Sequence, residues 1–300
     1  KHWEDSIKDI RKYCIETGLP AWNIPQKKGF FRNLVVRKSI INNNFLIELI
    51  TSSENIKKFK INNFCKKILN LHPNKIEGII HTINDNISDR VDYSKVSSKL
   101  IFGSDKIFES ILNLNFEISM SSFFQTNPKS AEKLYSQVYK YVFEKDISDN
   151  DVILDLFCGT GTITQIIASQ NPNLKVIGVD IVEKAINNAI KSTKKNKITN
   201  ASFFAGDVGK FLYENSELIN NIHSVIIDPP RSGVSKKSLK KIIELNTRKI
   251  IYVSCDPSTQ ARDINFLQSN GYELIKFCLI DQFPHTYHIE TIVLLQKKDL

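Results

Sequence analysis

The C-terminal half of the sequence carries a cysteine and two carboxylates at the ends of predicted strands. Cys255 follows the β-forming run 250–254, Asp228 ends the strand before it, and Glu290 lies on the last strand. A thiolate is a strong nucleophile, and a positioned carboxylate can accept a proton from a substrate. Such a set could add covalently to a substrate and later remove a proton from it.

The position of Cys255 directly before a helix bears on its reactivity. Asp256 occupies the N-cap position of the predicted helix 257–269, and Pro257 is its first residue. The positive end of the helix dipole favours a thiolate, so we expect a lowered pKa for the Cys255 thiol, although Asp256 acts against it. A buried structural cysteine is the alternative interpretation, and the neighbours of Cys255 must decide between the two.

A glycine-rich turn, Asp155–Gly161, follows a predicted strand and opens a helix, which lets a ligand approach the backbone closely. Its spacing differs from that of dinucleotide sites, and the sequence has no phosphate-binding loop. Asp180 ends the second strand, where a carboxylate can accept both ribose hydroxyls of a nucleoside, and Asp207 ends the third, within reach of an adenine amino group. This set predicts an S-adenosylmethionine pocket; a helix-capping turn with two solvated acids is the alternative.

A second turn, Asp228–Gly233, contains two consecutive prolines. These cannot donate to a strand ladder, so Asp228 is presented at the carboxyl edge of the sheet with Arg231 close behind, unless the segment is a plain turn. The motif is similar to the Asp/Asn-Pro-Pro motif of base-modifying methyltransferases. Amino-group methylases typically carry an aromatic residue at the position of Arg231, so methylation of an exocyclic nitrogen is disfavoured.

Methylation at carbon 5 of uracil would use all of these groups. That carbon is too weak a nucleophile to attack a sulfonium methyl unaided, but addition of a thiolate to carbon 6 gives an enolate that can, and a base must then remove the carbon 5 proton. Cys255 is the candidate nucleophile and Glu290 the candidate base. His285, His288 and Glu290 could instead bind a metal, but that would leave Cys255 and the cofactor set unexplained, so we expect no metal.

A scaffold of parallel strands must position these residues. From about residue 121 strands and helices alternate strictly, which predicts a doubly wound sheet with helices on both faces. The last two strands, 273–281 and 289–296, are too close for a crossover helix and should pair antiparallel at one edge. We predict a small α+β domain over residues 1–120 that contacts the RNA substrate, and an α/β Rossmann-like methyltransferase domain over 121–300.

Composition narrows the class of protein. The 300 residues are 41% hydrophobic, which suffices for a substantial core, and no apolar run is long enough for a membrane span or a signal peptide. We therefore expect a cytoplasmic protein without membrane contact. The five scattered cysteines include no CxxC pair and indicate neither disulfides nor a metal cluster. The net charge of +9 suits a nucleic-acid partner, although a general lysine bias would give the same value.

The motifs together resemble the RNA 5-methyluridine (uracil carbon 5) methyltransferase family. They span the whole C-terminal half in that family's order, and a further similar segment, GFFRNLVVR, lies upstream at 29–37. The motifs are FFQTNP at 123–128, DLFCGTGT at 155–162, DPPRSG at 228–233, SCDP at 254–257 and HTYHIE at 285–290. The resemblance implies a methyltransferase that takes its methyl group from S-adenosylmethionine.

The resemblance also implies roles for individual residues. It makes Cys255 the nucleophile and Glu290 the proton acceptor. The residues that it assigns to the methyl donor are Gln125, Phe157, Thr162, Asp180 and Asp228; Asp207 is added on the pattern of strand ends alone. Many members carry Glu at the position of Asp180 and Asn at that of Thr162. The iron–sulfur cysteines of some members, and a recognisable N-terminal β-barrel, are absent from this sequence.

We therefore predict a monomeric S-adenosylmethionine-dependent RNA uracil carbon 5 methyltransferase acting on a uridine of transfer or ribosomal RNA. Two alternatives remain open. One is RNA cytosine carbon 5 methylation, for which a second cysteine is expected after the proline of the fourth-strand motif. The other is a non-catalytic RNA-binding or RNA-folding protein of the same fold. Lysine runs near 191–197 and 236–241 could hold RNA phosphates or be solvated helix faces.

Overall fold

The computed structural model describes residues 3–88, 91–144, 147–215 and 221–298. The chain divides into two compact units, Lys1–Glu109 with Glu117–Ser122 and Ser110–Phe116 with Phe123–Leu300. The boundary expected after residue 120 stays a prediction. Within the described ranges, every helix is too short or too polar to cross a bilayer.

The first unit is built on a four-stranded sheet in the order β1-β2-β3-β4, in which β2 and β3 are parallel and the other neighbours antiparallel. Alternate residues of β2 pack against two helices in one hydrophobic core. The elements are α1 (Trp3–Glu16), β1 (Phe31–Lys38), β2 (Phe45–Thr51), α2 (Ile61–Leu71), β3 (Ile76–Ile83) and β4 (Ser97–Gly103). The strands β5 (Lys106–Ile111) and β6 (Leu114–Ser119) form a separate two-stranded sheet.

The sequence 55–71 is amphipathic, but it does not form one continuous helix. A 3-10 turn, Ile56–Lys58, precedes α2, and Phe59 between them has extended backbone angles. The Phe59 side chain is buried in the core of the unit, and the change of backbone direction at this residue turns its ring inward.

The second unit contains a seven-stranded sheet and six helices among its described residues. Its strands are β7 (Val152–Leu156), β8 (Lys175–Asp180), β9 (Ala201–Ala205), β10 (Ile222–Ile227), β11 (Lys249–Ser254), β12 (Tyr272–Ile280) and β13 (Glu290–Lys297). Its helices are α3 (Pro128–Val142), α4 (Thr162–Gln170), α5 (Glu183–Lys195), α6 (Val208–Glu214), α7 (Lys236–Glu244) and α8 (Pro257–Gln268). The predicted alternation of strands and helices is confirmed, with ends that differ by one or two residues.

The strand order is β12-β13-β11-β10-β7-β8-β9. Strands β7 to β11 are parallel, and β13 pairs antiparallel with both β11 and β12, so the predicted edge hairpin is confirmed. Helices α6, α7 and α8 share one core on a single face of the sheet. The winding direction reverses between β7 and β10, and in open α/β sheets ligands bind in the crevice beyond the strand ends at such a point.

Candidate active site

The ladder between β11 and β13 brings Cys255 and Glu290 together. Ser254, the last residue of β11, pairs with Thr291, so Cys255 and Glu290 both adjoin the final pair of the ladder, and the charge of Glu290 acts on the Cys255 thiol. Beside this pair, the Thr291 hydroxyl lies within hydrogen-bond distance of two acceptors, the Ser254 carbonyl at 3.1 Å and Gln260 Oε1 at 2.7 Å. The register thus places the candidate nucleophile beside the candidate base.

The environment of Cys255 does not favour its thiolate. Burial raises the pKa of the thiol above its usual value of 9.0, and the charge of Glu290 raises it further, while a hydrogen bond from Arg231 and its charge lower it. The prediction of a lowered pKa is therefore wrong. Asp256 caps α8 and accepts hydrogen bonds from the N–H groups of its first turn, so the helix terminus is already satisfied by a carboxylate.

Three carboxyl groups form an acidic cluster around this edge. Burial raises the pKa of Asp155 and of Glu290 to about 7, and Arg231 partly opposes the shift of Glu290. The pKa of Asp228 is raised by burial and then by the charges of Glu290 and Asp155. Asp155 Oδ2 accepts from the Thr164 hydroxyl at 2.5 Å, whereas its Oδ1 is buried without a hydrogen-bond partner in the described chain. A positively charged ligand would relieve this crowding of carboxylates.

Arg231 is held near Cys255 by helix α8. The Thr259 hydroxyl donates to the Arg231 carbonyl at 3.0 Å, and Arg262 Nη2 donates to the Ser232 carbonyl at 3.0 Å. These bonds fix the loop after β10 to the helix that follows Cys255. The loop and the cysteine are therefore positioned by one element.

The glycine turn after β7 depends on left-handed backbone and on Asp180. Phe157, Gly159 and Gly161 have φ values of 65°, 54° and 71°, which is costly for Phe157 because it carries a side chain. Asp180 Oδ2 accepts from the Gly159 N–H at 2.9 Å, and Oδ1 accepts from the Val182 N–H at 2.8 Å. Asp180 therefore supports the turn, and each of its oxygens retains a second lone pair for a ribose hydroxyl.

The remaining candidate residues occupy three other elements. Thr162 is the buried first residue of α4. Asp207 is the exposed N-cap of α6 and accepts from the Lys210 N–H at 2.9 Å. Gln125, before α3, is buried and accepts from Gln282 Nε2 at 3.2 Å. The ligand contacts assigned to these residues stay predictions.

The loop between β12 and β13 was the candidate metal site. Its His288 ring packs against the neighbouring Tyr287 ring, with centroids 4.1 Å apart. Across the described part of the chain, no three His, Cys, Asp or Glu side chains are grouped closely enough to hold a metal ion.

Comparison with known proteins decides the family. The model of the tRNA (uracil-5-)-methyltransferase family matches residues 91–298, which is more than half of the chain. The chain belongs to this family. The resemblance inferred from the motifs is thereby confirmed, and the matched range includes every candidate site residue.

This member of the uracil-5-methyltransferase family is similar to RNA methyltransferases of bacteria. It is 43% identical to an uncharacterized RNA methyltransferase of Clostridium acetobutylicum over 97% of the chain and 62% of that protein. It is 41% identical to another from Caldanaerobacter subterraneus, over 95% of the chain and 61% of that protein. The chain thus spans about three fifths of the length of these relatives.

A solved structure supports the fold of the family member. The crystal structure of Pyrococcus abyssi tRNA (uracil-54, C5)-methyltransferase in complex with S-adenosyl-L-homocysteine superposes with a TM-score of 0.75 and 26% identity. The match covers 97% of this chain and 66% of that one. The predicted Rossmann-like methyltransferase fold is confirmed.

Three residues of the site were given no role by the sequence reasoning. In the sequence, Arg231 serves only to disfavour amino-group methylation, Asp155 only starts a motif, and nothing indicates a role for Gln282. A charged residue inside the apolar run Val152–Leu156 was an available signal for Asp155, because carboxylates are rarely buried in strands without a reason. The contacts of Arg231 and Gln282 join segments distant in sequence and left no local signal.

Replacing Gly161 by alanine should destabilise the protein strongly. An added Cβ would lie 2.4 Å from Phe203 Cε1 and 3.0 Å from Ala189 Cβ, at a φ of +71°. Steric overlap and backbone strain together predict a loss of roughly 3 kcal/mol in the free energy of unfolding, measured by urea denaturation. Gly159→Ala is the matched control, since its φ is +54° with open space around it, and about 1 kcal/mol is expected. Equal losses in the two variants would contradict the packing argument.

The buried carboxyl groups predict how stability depends on pH. Asp155 and Glu290 have pKa values of about 7 when folded and ionise near pH 4 when unfolded. The contribution of each group to the free energy of unfolding is therefore fully present below about pH 4 and is lost as pH rises to about 7, by up to ~4 kcal/mol each. Between pH 5 and pH 8 the ligand-free protein should lose stability relative to its Asp155→Asn variant in urea denaturation. An exposed control, Asp105→Asn, should track the wild type, and a constant gap between wild type and Asp155→Asn would refute the prediction.

Proposed function

We propose that this chain is the catalytic part of an S-adenosylmethionine-dependent methyltransferase that modifies carbon 5 of a uridine in structured RNA, either transfer or ribosomal. The observation that carries the proposal is that Cys255 and Glu290 both adjoin the last pair of the β11–β13 ladder, Ser254 and Thr291, and that the charges of Glu290 and Asp228 act on the Cys255 thiol. Membership of the family supports it. A cytoplasmic monomer, with RNA contacts in residues 1–120, stays a prediction.

The acidic cluster fits the methyl donor. S-adenosylmethionine, when bound, supplies an electrophilic methyl group on a positively charged sulfur, and it also carries an ammonium group. In the free protein the charges of Glu290 and Asp155 both act on Asp228, and Asp155 Oδ1 is buried without a partner among the described residues. The two positive charges of S-adenosylmethionine would balance the negative charges of these carboxylates. Phe157, Thr162, Asp180 and Asp207 would hold the nucleoside part, and Gln125 and Asp228 the remainder.

Cys255 and Glu290 would divide the chemistry between them. The Cys255 thiolate adds to carbon 6, and the electrons of the carbon 5–carbon 6 double bond move into an enolate toward oxygen 4. Carbon 5 then takes the methyl group while the sulfur–methyl bond breaks and leaves its electron pair on sulfur. Glu290 removes the carbon 5 proton, the double bond re-forms and the Cys255 thiolate is expelled.

Arg231 is the group near Cys255 that favours the thiolate, although burial and Glu290 outweigh it in the free protein. Its hydrogen bond and charge are what lower the pKa of Cys255 against burial and Glu290. Carbon 6 of a stacked base is difficult to reach in line, so the target uridine should be flipped out of a structured loop at a cost of a few kcal/mol.

Nucleoside analysis tests the proposal. The protein is incubated with radiolabelled S-adenosylmethionine and RNA from cells that lack the gene, and the RNA is then digested to nucleosides. Label in 5-methyluridine supports the proposal. Label in 5-methylcytidine would establish the cytosine reaction instead, and RNA binding without transfer would establish a non-catalytic RNA-binding protein.

A further inference from the structure

A pair of hydrogen-bonded glutamines joins the segment before α3 to the loop after β12. Gln282 is 1% exposed, and its Nε2 donates both to Gln125 Oε1 and to the Asn127 carbonyl, each at 3.2 Å. Two further bonds tie the segments together, from Asn127 Nδ2 to the Gln282 carbonyl at 3.4 Å and from the Ser130 hydroxyl to the Asp281 carbonyl at 2.9 Å. The Gln282 side chain is therefore held in one place.

The backbone carbonyl of Asn127 determines which way both amides point. A carbonyl oxygen only accepts hydrogen bonds, so the end of Gln282 that faces it must be the amino group. The same amino group meets Gln125, which must therefore present its oxygen to Gln282 and direct its own amino group away. That Gln125 Nε2 group has no hydrogen-bond partner among the described residues, and Gln282 Oε1 is buried without one.

We propose that Gln282 is a positioning residue that keeps the N–H donors of Gln125 directed at the ligand, so that this part of the site selects an acceptor oxygen. The inference rests on the proposed function, which assigns Gln125 to the methyl donor. The oxygen is either the carboxylate of the donor's methionine part or a carbonyl of the uracil. A reversed Gln125 amide would place oxygen against oxygen and repel either group.

Two substitutions at position 282 separate orientation from packing. In Gln282→Glu the new side chain, when ionised, only accepts hydrogen bonds, so Gln125 must turn its amino group toward it and offer its oxygen to the ligand. The methionine side chain of Gln282→Met has a similar length and favours neither orientation of the Gln125 amide. Gln125 is therefore free to adopt both orientations, and no charge is added. Gln268→Glu, at the exposed end of α8, is the charge-matched control. Thermal unfolding shows that each variant is folded.

Calorimetric dissociation constants for two ligands identify the oxygen. S-adenosylhomocysteine carries the amino-acid carboxylate, and 5′-methylthioadenosine lacks it. If the carboxylate is the acceptor, Gln282→Glu should weaken S-adenosylhomocysteine by about tenfold or more, Gln282→Met should weaken it severalfold, and both should leave methylthioadenosine within about twofold. If a uracil carbonyl is the acceptor, both dissociation constants stay within about twofold of their wild-type values while KM for uridine-containing RNA rises about tenfold.

The inference is overturned if Gln282→Glu and Gln282→Met, both folded, leave the ratio of constants and the KM for RNA within about twofold of wild type and of Gln268→Glu. A purely structural role would weaken both ligands equally and would also overturn it. A wild-type protein that binds neither S-adenosylhomocysteine nor S-adenosylmethionine would instead contradict the proposed function, and this inference with it.

Discussion

Replacing Cys255 by alanine should lower methyl transfer by at least about 10⁴-fold and abolish any covalent complex with RNA. Without thiolate addition, carbon 5 of uracil does not become nucleophilic, so no other group of the site can replace the thiol. Binding of S-adenosylhomocysteine should change little, because the residues assigned to the donor are untouched. The rate is measured as label transferred to RNA, and the complex on a denaturing gel.

The control for this substitution is Cys278→Ala, which removes another half-buried thiol of the same unit. It should keep the wild-type rate. If Cys255→Ala also kept a rate within tenfold of wild type, the nucleophile would have to be another group and the assignment of Cys255 would be wrong.

Replacing Glu290 by glutamine should trap the methylated intermediate. The amide has the shape of the carboxylate but does not take the carbon 5 proton, so the cysteine–carbon 6 bond persists, and turnover should fall by about 10² to 10⁴. A complex of protein and RNA that survives denaturation, with the added mass of one methyl group, should accumulate in the presence of S-adenosylmethionine. Mass spectrometry of the digested complex locates the bond at Cys255.

The same substitution should also change the reactivity of the free thiol. The charge of Glu290 is the second cause, after burial, of the raised pKa of Cys255. Gln at position 290 removes that charge, so alkylation of Cys255 should reach half its limiting rate at a lower pH than in the wild type. Glu273→Gln, at an exposed position of β12, should match the wild type in both measurements. Glu290→Gln protein that turns over normally would exclude Glu290 as the base.

The scaffold could be predicted because its signals are local. Strand and helix periodicity, the prolines after Asp228 and the short gap between the last two strands are all read within a few residues, and they give the alternating order and the edge hairpin. Strand β4 was not predicted because most of its residues are exposed, so it lacks the apolar alternation of a half-buried strand. The sequence predicts that β10 ends at Asp228, whereas the strand ends at Ile227 and Asp228 lies just beyond it.

The electrostatics of the site could not be predicted, because they depend on groups far apart in sequence. The helix after Cys255 is a local feature and suggested a lowered pKa, whereas burial and Glu290, which arrives on β13, raise it. The pKa of Asp155 follows from burial in the centre of the sheet. The orientation of Gln125 is set by Gln282 from the distant loop. Sequence alone placed Cys255, Asp228 and Glu290 at this edge and left their protonation open.

Release of tritium from RNA labelled at carbon 5 of uridine tests the central claim most directly. Substitution at carbon 5 must expel the hydrogen that Glu290 removes, so wild-type protein with S-adenosylmethionine should release one tritium for each methyl group transferred, and Cys255→Ala should release none. Methyl transfer by the wild type without tritium release would place the methyl group on another atom and contradict the account.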